Sequence, residues 1–201
     1  MMAMVGDNVE YLDYLFFRYW SDTPNNIPFY HVITGAFYVV FMFDCNGTNG
    51  GNMIFNLGDG QSHPSSVYDT FAQLRITGPY LGGPMTKYQI QFGSLWNNTP
   101  RPQINGTETV GGTNNIVKFG FDGSNVILRD VYDVDTMSLP YSDEFAIFTF
   151  AMNSQMNGSN IRRVELFEEG VLTETFRPAI VNGVTGLYSD VQKICYPLFN
   201  T

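Results

Sequence analysis

Few residues in this 201-residue chain have types suited to catalysis. His31 and His63 are its two imidazoles, one beside Tyr30 in an apolar stretch and the other in a Ser/Pro loop, and both read as structural or surface histidines. No Gly-x-Ser-x-Gly elbow occurs, and neither Cys45 nor Cys195 sits in a nucleophile context. Two cysteines are too few for a disulfide scaffold and lack metal-ligand spacing, so they read as buried free thiols. A bridge between them stays open, because the first and last strands of a sandwich can be neighbours. Glycoside hydrolysis by retention needs two carboxyls about 5 Å apart on a cleft-lining strand. The E-x-D-x-x-E string that would supply them is absent, Asp130, Asp133 and Asp135 share no single strand face, and Glu165, Glu168 and Glu169 surround a turn. These acids read as solvated. Gly82-Gly83-Pro84 and Gly111-Gly112 lack the lysine and the following helix of a phosphate cradle. The N-x-Ser/Thr strings at Asn46, Asn97, Asn105 and Asn157 read as turns. No catalytic residue is assigned, and the chain reads as a non-enzyme.

The elements that would position any site are strands. Aromatic residues make up 15% of the chain, charged residues only 14%, and Gly and Asn are abundant. Side chains of the first kind fit a pleated surface, and Gly and Asn accept the φ > 0 of tight turns. Ala36–Phe43 is a dense apolar run, expected to be a strand buried on both faces. Short strands follow at Met53–Leu57 and at Lys87–Phe92, where Tyr88, Ile90 and Phe92 alternate with polar residues. Trp96–Gly112 reads as a long polar loop, with Pro100 and Pro102 excluding a central strand. Val117, Phe119 and Phe121 alternate into Asp122-Gly123-Ser124-Asn125, from which Val126–Leu128 returns as a hairpin. Phe145–Ala151, Ile161–Phe167 and Val171–Phe176 are further strands, the last two joined by a turn at Glu168-Glu169-Gly170. Val9–Trp20 fits either a helical stripe or an aromatic strand. Closely spaced strands without helical periods predict an antiparallel sandwich or jelly roll, and no linker or repeat divides residues 1–201. One β-sandwich domain is expected, with residues 1–25 as an alternative N-terminal arm or helix.

A net charge of −9 and a pI near 4.4 argue against a nucleic-acid partner, since counterion release needs a basic surface. No apolar run approaches the eighteen residues of a membrane-spanning helix, so no membrane insertion is expected. Met1–Val5 runs at once into Asp7 and Glu10, which does not resemble a secretory leader.

The C-terminal third carries a family resemblance. Ile161-Arg162-Arg163-Val164-Glu165-Leu166-Phe167, the segment Phe176-Arg177-Pro178-Ala179, and Gly183-Val184-Thr185-Gly186-Leu187-Tyr188-Ser189-Asp190 resemble the laminin-G/concanavalin A-like jelly-roll domains, in the branch common in tailed bacteriophages and gut bacteria. The Asp122-Gly123-Ser124-Asn125-Val126 hairpin is similar to that family's "F-D-G-S-N-V", and Glu10-Tyr11-Leu12 matches its "E-Y-I/L" opening. The resemblance covers roughly the last 85 residues. It departs at Val191–Phe199, where the family has a Lys-Phe-Tyr-Thr-Asn type strand, and Thr23–Arg101 carries no motif that aligns. The matched positions Phe176, Pro178, Gly183, Gly186, Leu187 and Tyr188 read as structural: two glycines for turns of unusual φ, a proline fixing extended backbone, and three core plugs.

The resemblance implies a virion structural protein of a tailed bacteriophage. Such a capsid-decoration, head-fibre or tail-appendage subunit would be assembled in the host cytoplasm and would associate with itself, as a trimer, and with other virion proteins. The alternative it implies is a lectin-like carbohydrate-binding module that contacts host-surface glycans. Lectin-like sites stack sugars on exposed aromatics and hydrogen-bond hydroxyls with Asn, Asp or Gln. Trp96 with Asn97 and Asn98, and next Tyr80, are the candidates for that role. Calcium is common in laminin-G-like domains and oxygen ligands are plentiful in Asn46–Asn56, Asp59 and Asp130–Asp135, but no ligand spacing singles out a site. No cofactor is assigned.

Overall fold

A computed structural model describes residues 4–5, 8–17, 33, 35–45, 52–58, 72–77, 87–92, 103–105, 112–123, 125–129, 134–138, 147–149 and 159–198. Every regular element among them is a strand: β1 (Met4–Val5), β2 (Val9–Tyr11), β3 (Leu15–Phe17), β4 (Phe37–Cys45), β5 (Asn52–Gly58), β6 (Ala72–Thr77), β7 (Lys87–Phe92), β8 (Gln103–Asn105), β9 (Gly112–Phe121), β10 (Asn125–Arg129), β11 (Val134–Ser138), β12 (Ile147–Thr149), β13 (Ser159–Glu168), β14 (Val171–Val181), β15 (Val184–Ser189) and β16 (Ile194–Pro197). They form two antiparallel sheets. The smaller runs β12-β5-β6-β7-β8, and the larger runs β1-β16-β15-β14-β13-β4-β9-β10-β11 with β2 and β3 inserted beside β14 and β13. The expected all-β antiparallel class is the class observed. Among the described residues no helix is long and apolar enough to cross a membrane.

Side-chain alternation explains the larger sheet. Phe37, Val39, Phe41 and Phe43 of β4 point to one face and are fully buried beside Val117 and Phe119 of β9 and Val164 and Leu166 of β13. Removing each such side chain from water contributes about 1.5–3 kcal/mol. A sheet face this dry requires a covering layer. Tyr38, Val40 and Met42 point the other way and are only half-buried. The expectation that Ala36–Phe43 is buried on both faces therefore holds for one face.

The turns follow their residues. Asn182 (φ 51°) and Gly183 (φ 81°) form a two-residue connection between Val181 and Val184, a geometry with positive φ at both positions that Asn-Gly accommodates. Gly186 differs from its expected role, since its φ is not positive. It is needed because a Cβ there would strike the Tyr196 carbonyl oxygen. Phe176, Leu187 and Tyr188 are buried as expected. Phe176 and Leu187 lie on the Phe41 face of the sheet, whereas Tyr188 packs on the opposite face with Ala179, Val181, Cys195 and Val9.

Val9–Phe17 resolves as two short strands, not a helix. The β13–β14 hairpin pairs as far as Val164 with Phe176 and then splays. β2 runs into the fork along β14 (Val9 opposite Val181, Tyr11 opposite Ala179), and β3 runs out along β13 (Leu15 opposite Ile161, Phe17 opposite Ser159). The segment is a wedge with Leu12–Tyr14 at its tip and Leu15 as its buried plug, 2% exposed. Pro178 stands at the fork, where the ladder changes partner. Its missing N–H costs nothing there, and its carbonyl accepts the Leu12 N–H at 2.9 Å.

Two expectations need correction. The loop at Trp96–Gly112 contains β8, centred on Ile104, and β9 already begins at Gly112. β8 sits at a sheet edge just after Pro102, which is where a proline-flanked strand can pair. β6 and β11 add strands where no signal was read. β6 has clean alternation, with Leu74 and Ile76 between Gln73, Arg75 and Thr77.

Candidate functional site

Asp44 ends the apolar run of β4 and is 2% exposed. A carboxylate so placed needs cationic and N–H partners, and two local irregularities bring them. In β13 the register shifts between Ile161 and Arg163, so Arg162 is an extra residue of a bulge. In β4 the register against β9 shifts between Phe43 and Cys45, around Asp44 itself. The Arg162 Nε then lies 2.9 Å and 3.0 Å from the two Asp44 carboxylate oxygens, and Nη2 lies 2.8 Å from Oδ2. Asn114, at φ 62°, donates its backbone N–H to Oδ1 at 2.9 Å, and Asn160 donates Nδ2 to Oδ2 at 3.3 Å. The Arg162 hydrogen bonds hold the Asp44 carboxyl below its usual range, against burial and helped by the Asn114 N–H. The Asn160 Oδ1 is buried with no partner among the described residues, a situation that typically costs about 1–3 kcal/mol.

The tip of the wedge lies over this knot. Continuing the β3–β13 register from Leu15 opposite Ile161 sets Tyr14 opposite Arg162. Tyr14 is 48% exposed, and Asp13 is exposed and near enough to act electrostatically on the Arg162 guanidinium. Asp44 occupies the Nε and Nη2 side of that guanidinium, and Nη1 makes no hydrogen bond within the described residues. Chemically this gathers an exposed aromatic, an exposed carboxylate and the outer edge of an arginine in one region of the sheet.

The other arm of the wedge repeats the residue types with a different result. Arg177 lies with its guanidinium carbon 3.7 Å from the centroid of the Tyr11 ring. It also bonds Asp190 twice, at 2.6 Å and 2.8 Å, and the Tyr11 hydroxyl donates to Asp190 at 2.9 Å. Partial burial pushes the Asp190 carboxyl up, but the bonds from Arg177 and then Tyr11 outweigh it and hold the group below its usual range. Burial, and then the bond to Asp190, pushes the Tyr11 hydroxyl up. Tyr188 closes the cluster edge-on at 6.1 Å from Tyr11.

Trp96, Asn97, Asn98 and Tyr80, the glycan candidates of the sequence, lie outside the described residues, as do His31 and His63. So does most of the oxygen-rich sequence considered for calcium, and no group of three or more His, Cys, Asp or Glu among the described residues is placed to hold a metal. Glu165 pairs with Arg163 at 2.6 Å, Glu168 accepts the Thr173 hydroxyl, and Glu169 accepts the Ala36 N–H. Cys195 is a free buried thiol, pushed up by that burial. Asp44, Arg162, Asn160, Asp13 and Tyr14 went unread in the sequence. Two signals mark them: a lone acid closing Phe37–Phe43, and the Arg162-Arg163 doublet that breaks the period of two between Ile161 and Val164.

No protein-family model matches the chain, and no curated protein matches it. Among solved structures it is similar to the legume lectin-like domain from Entamoeba histolytica, at 12% identity over 82% of this chain and 88% of that one, with a TM-score of 0.48. It is also similar to the CBM40 of Ruminococcus gnavus IT-sialidase bound to α2,3-sialyllactose, at 11% identity over 76% and 90% of the two chains, with a TM-score of 0.45. A third is the marine PL7 alginate lyase from Zobellia galactanivorans, at 9% identity over 69% and 64%, with a TM-score of 0.42. Likeness of this size assigns no family and transfers no activity.

Proposed function

We propose that this chain is a non-catalytic carbohydrate-binding module whose contact site is the wedge tip. The observation that supports this most is the exposed Tyr14, set by register opposite Arg162 and next in sequence to the exposed Asp13, where Asp44 holds Arg162 fixed. A ring face takes the apolar side of a sugar, and the flanking donor and acceptor take its hydroxyls. Arg162 is held in one orientation by Asp44, which reduces the ordering cost of binding. Asp44 and Asp190, among the described residues, are ill-suited to hydrolysis. A glycosidase acid needs a raised pKa, and Asp44 and Asp190 are both lowered by arginine. This reading takes precedence over the virion-subunit expectation because it rests on placed side chains, whereas that expectation rests on sequence resemblance alone.

A glycan array followed by titration tests the proposal. The expected result is saturable binding that Tyr14→Ala weakens at least tenfold with the fold intact. No binding to any glycan would contradict it. Binding lost in Trp96→Ala but kept in Tyr14→Ala would move the site to the loop read from the sequence.

A further inference from the structure

The wedge tip also carries a statement about which sugars it accepts, and this rests on the carbohydrate-binding reading above. We infer that the site selects uncharged glycans, those presenting hydroxyls, and rejects glycans bearing carboxylate or sulfate groups. The first observation is how Arg162, the cation described at the site, is engaged. Arginine recognises a carboxylate best through two parallel N–H bonds. The Nε and Nη2 of Arg162 already make such bonds with Asp44 along one edge, at 2.8–3.0 Å, so the outer Nη1 edge belongs to a guanidinium whose charge Asp44 has balanced. Asp44 is buried and further held by Asn114 and Asn160, so an incoming anion cannot displace it without leaving an unpaired charge inside the sheet.

The second observation is the charge around the opening. Arg162 and Asp44 cancel, and Asp13 adds a negative charge beside Tyr14, on a chain whose net charge is −9. A carboxylate or sulfate docked on Tyr14 would face Asp13 with no uncommitted cation described nearby, and such like-charge juxtaposition is how sites exclude wrong ligands. The third is donor and acceptor matching. The Arg162 Nη1 edge donates and the Asp13 carboxylate only accepts. A hydroxyl accepts from the first and donates to the second, whereas an anionic oxygen can serve only the first.

The test is a titration of the intact chain with neutral oligosaccharides of dextran, mannan and β-glucan, and with oligogalacturonate and sulfated dextran of matched length. At least one neutral probe is expected to bind ten or more times more tightly than either anionic probe at low salt. Adding salt should narrow the gap by screening Asp13. Asp13→Asn, an exposed change that leaves the Asp44–Arg162 knot intact, should narrow it about threefold or more. Equal or tighter binding of the anionic probes would overturn the selectivity while leaving the carbohydrate reading standing. Binding of no probe, together with a blank array, would overturn both.

Discussion

The two arms of the N-terminal wedge carry the same three residue types and use them in opposite ways. On the β14 side Tyr11, Arg177 and Asp190 close on one another: the guanidinium covers the ring and the carboxylate takes both the arginine and the hydroxyl. On the β13 side the arginine turns inward to Asp44 and leaves Tyr14 open. The difference traces to the backbone. Arg177 sits in regular ladder, paired with Tyr188 and one diagonal step from Tyr11. Arg162 is the extra residue of a bulge, re-aimed toward a strand end where Asp44 lies buried. A self-satisfied cluster ties the segment down, while an unsatisfied one offers groups to a ligand.

That contrast can be broken in stages. Leu15→Ala removes the plug beneath both arms and should cost about 2–5 kcal/mol in urea unfolding; a loss below 1 kcal/mol would mean the wedge is not part of the core. Asp44→Ala should cost less, about 1–3 kcal/mol, because it strands the Asn114 N–H while Arg162 can turn to water. Tyr11→Ala should cost about 1–2 kcal/mol through the lost hydroxyl bond and arginine stack. Acid should loosen both arms together. Asp44 and Asp190 have lowered folded-state pKa values, so in the acid range the unfolded chain binds more protons. Their contribution is complete above the ordinary carboxylate value of about 4 and is lost as pH falls through the folded values. Asp44→Asn should flatten that acid limb of the stability profile, and an unchanged limb would contradict the ion-pair account.

The sequence made the hairpins legible because their signals are local. Asp122-Gly123-Ser124-Asn125 and Gly183 mark turns by φ preference, and the aromatic runs mark strands by density and alternation. The wedge was not legible, since its place depends on where β13 and β14 part, and that parting is signalled only by a proline at 178. The Asp44 knot was hidden for a related reason. Asp44, Asn114, Asn160 and Arg162 are brought together by register shifts in two strands, and a shift appears in sequence only as a stumble such as Arg162-Arg163. Loop aromatics such as Trp96 drew attention because type and neighbourhood are visible in sequence, whereas spatial convergence is not.

The most direct test pairs the two tyrosines, measuring thermal stability and glycan affinity for Tyr11→Ala and Tyr14→Ala side by side. Tyr14→Ala should leave stability within about 0.5 kcal/mol and weaken binding at least tenfold. Tyr11→Ala should lower stability while binding survives. The reverse pattern, or loss of binding in both variants at equal stability, would contradict the division between a closed arm and an open one.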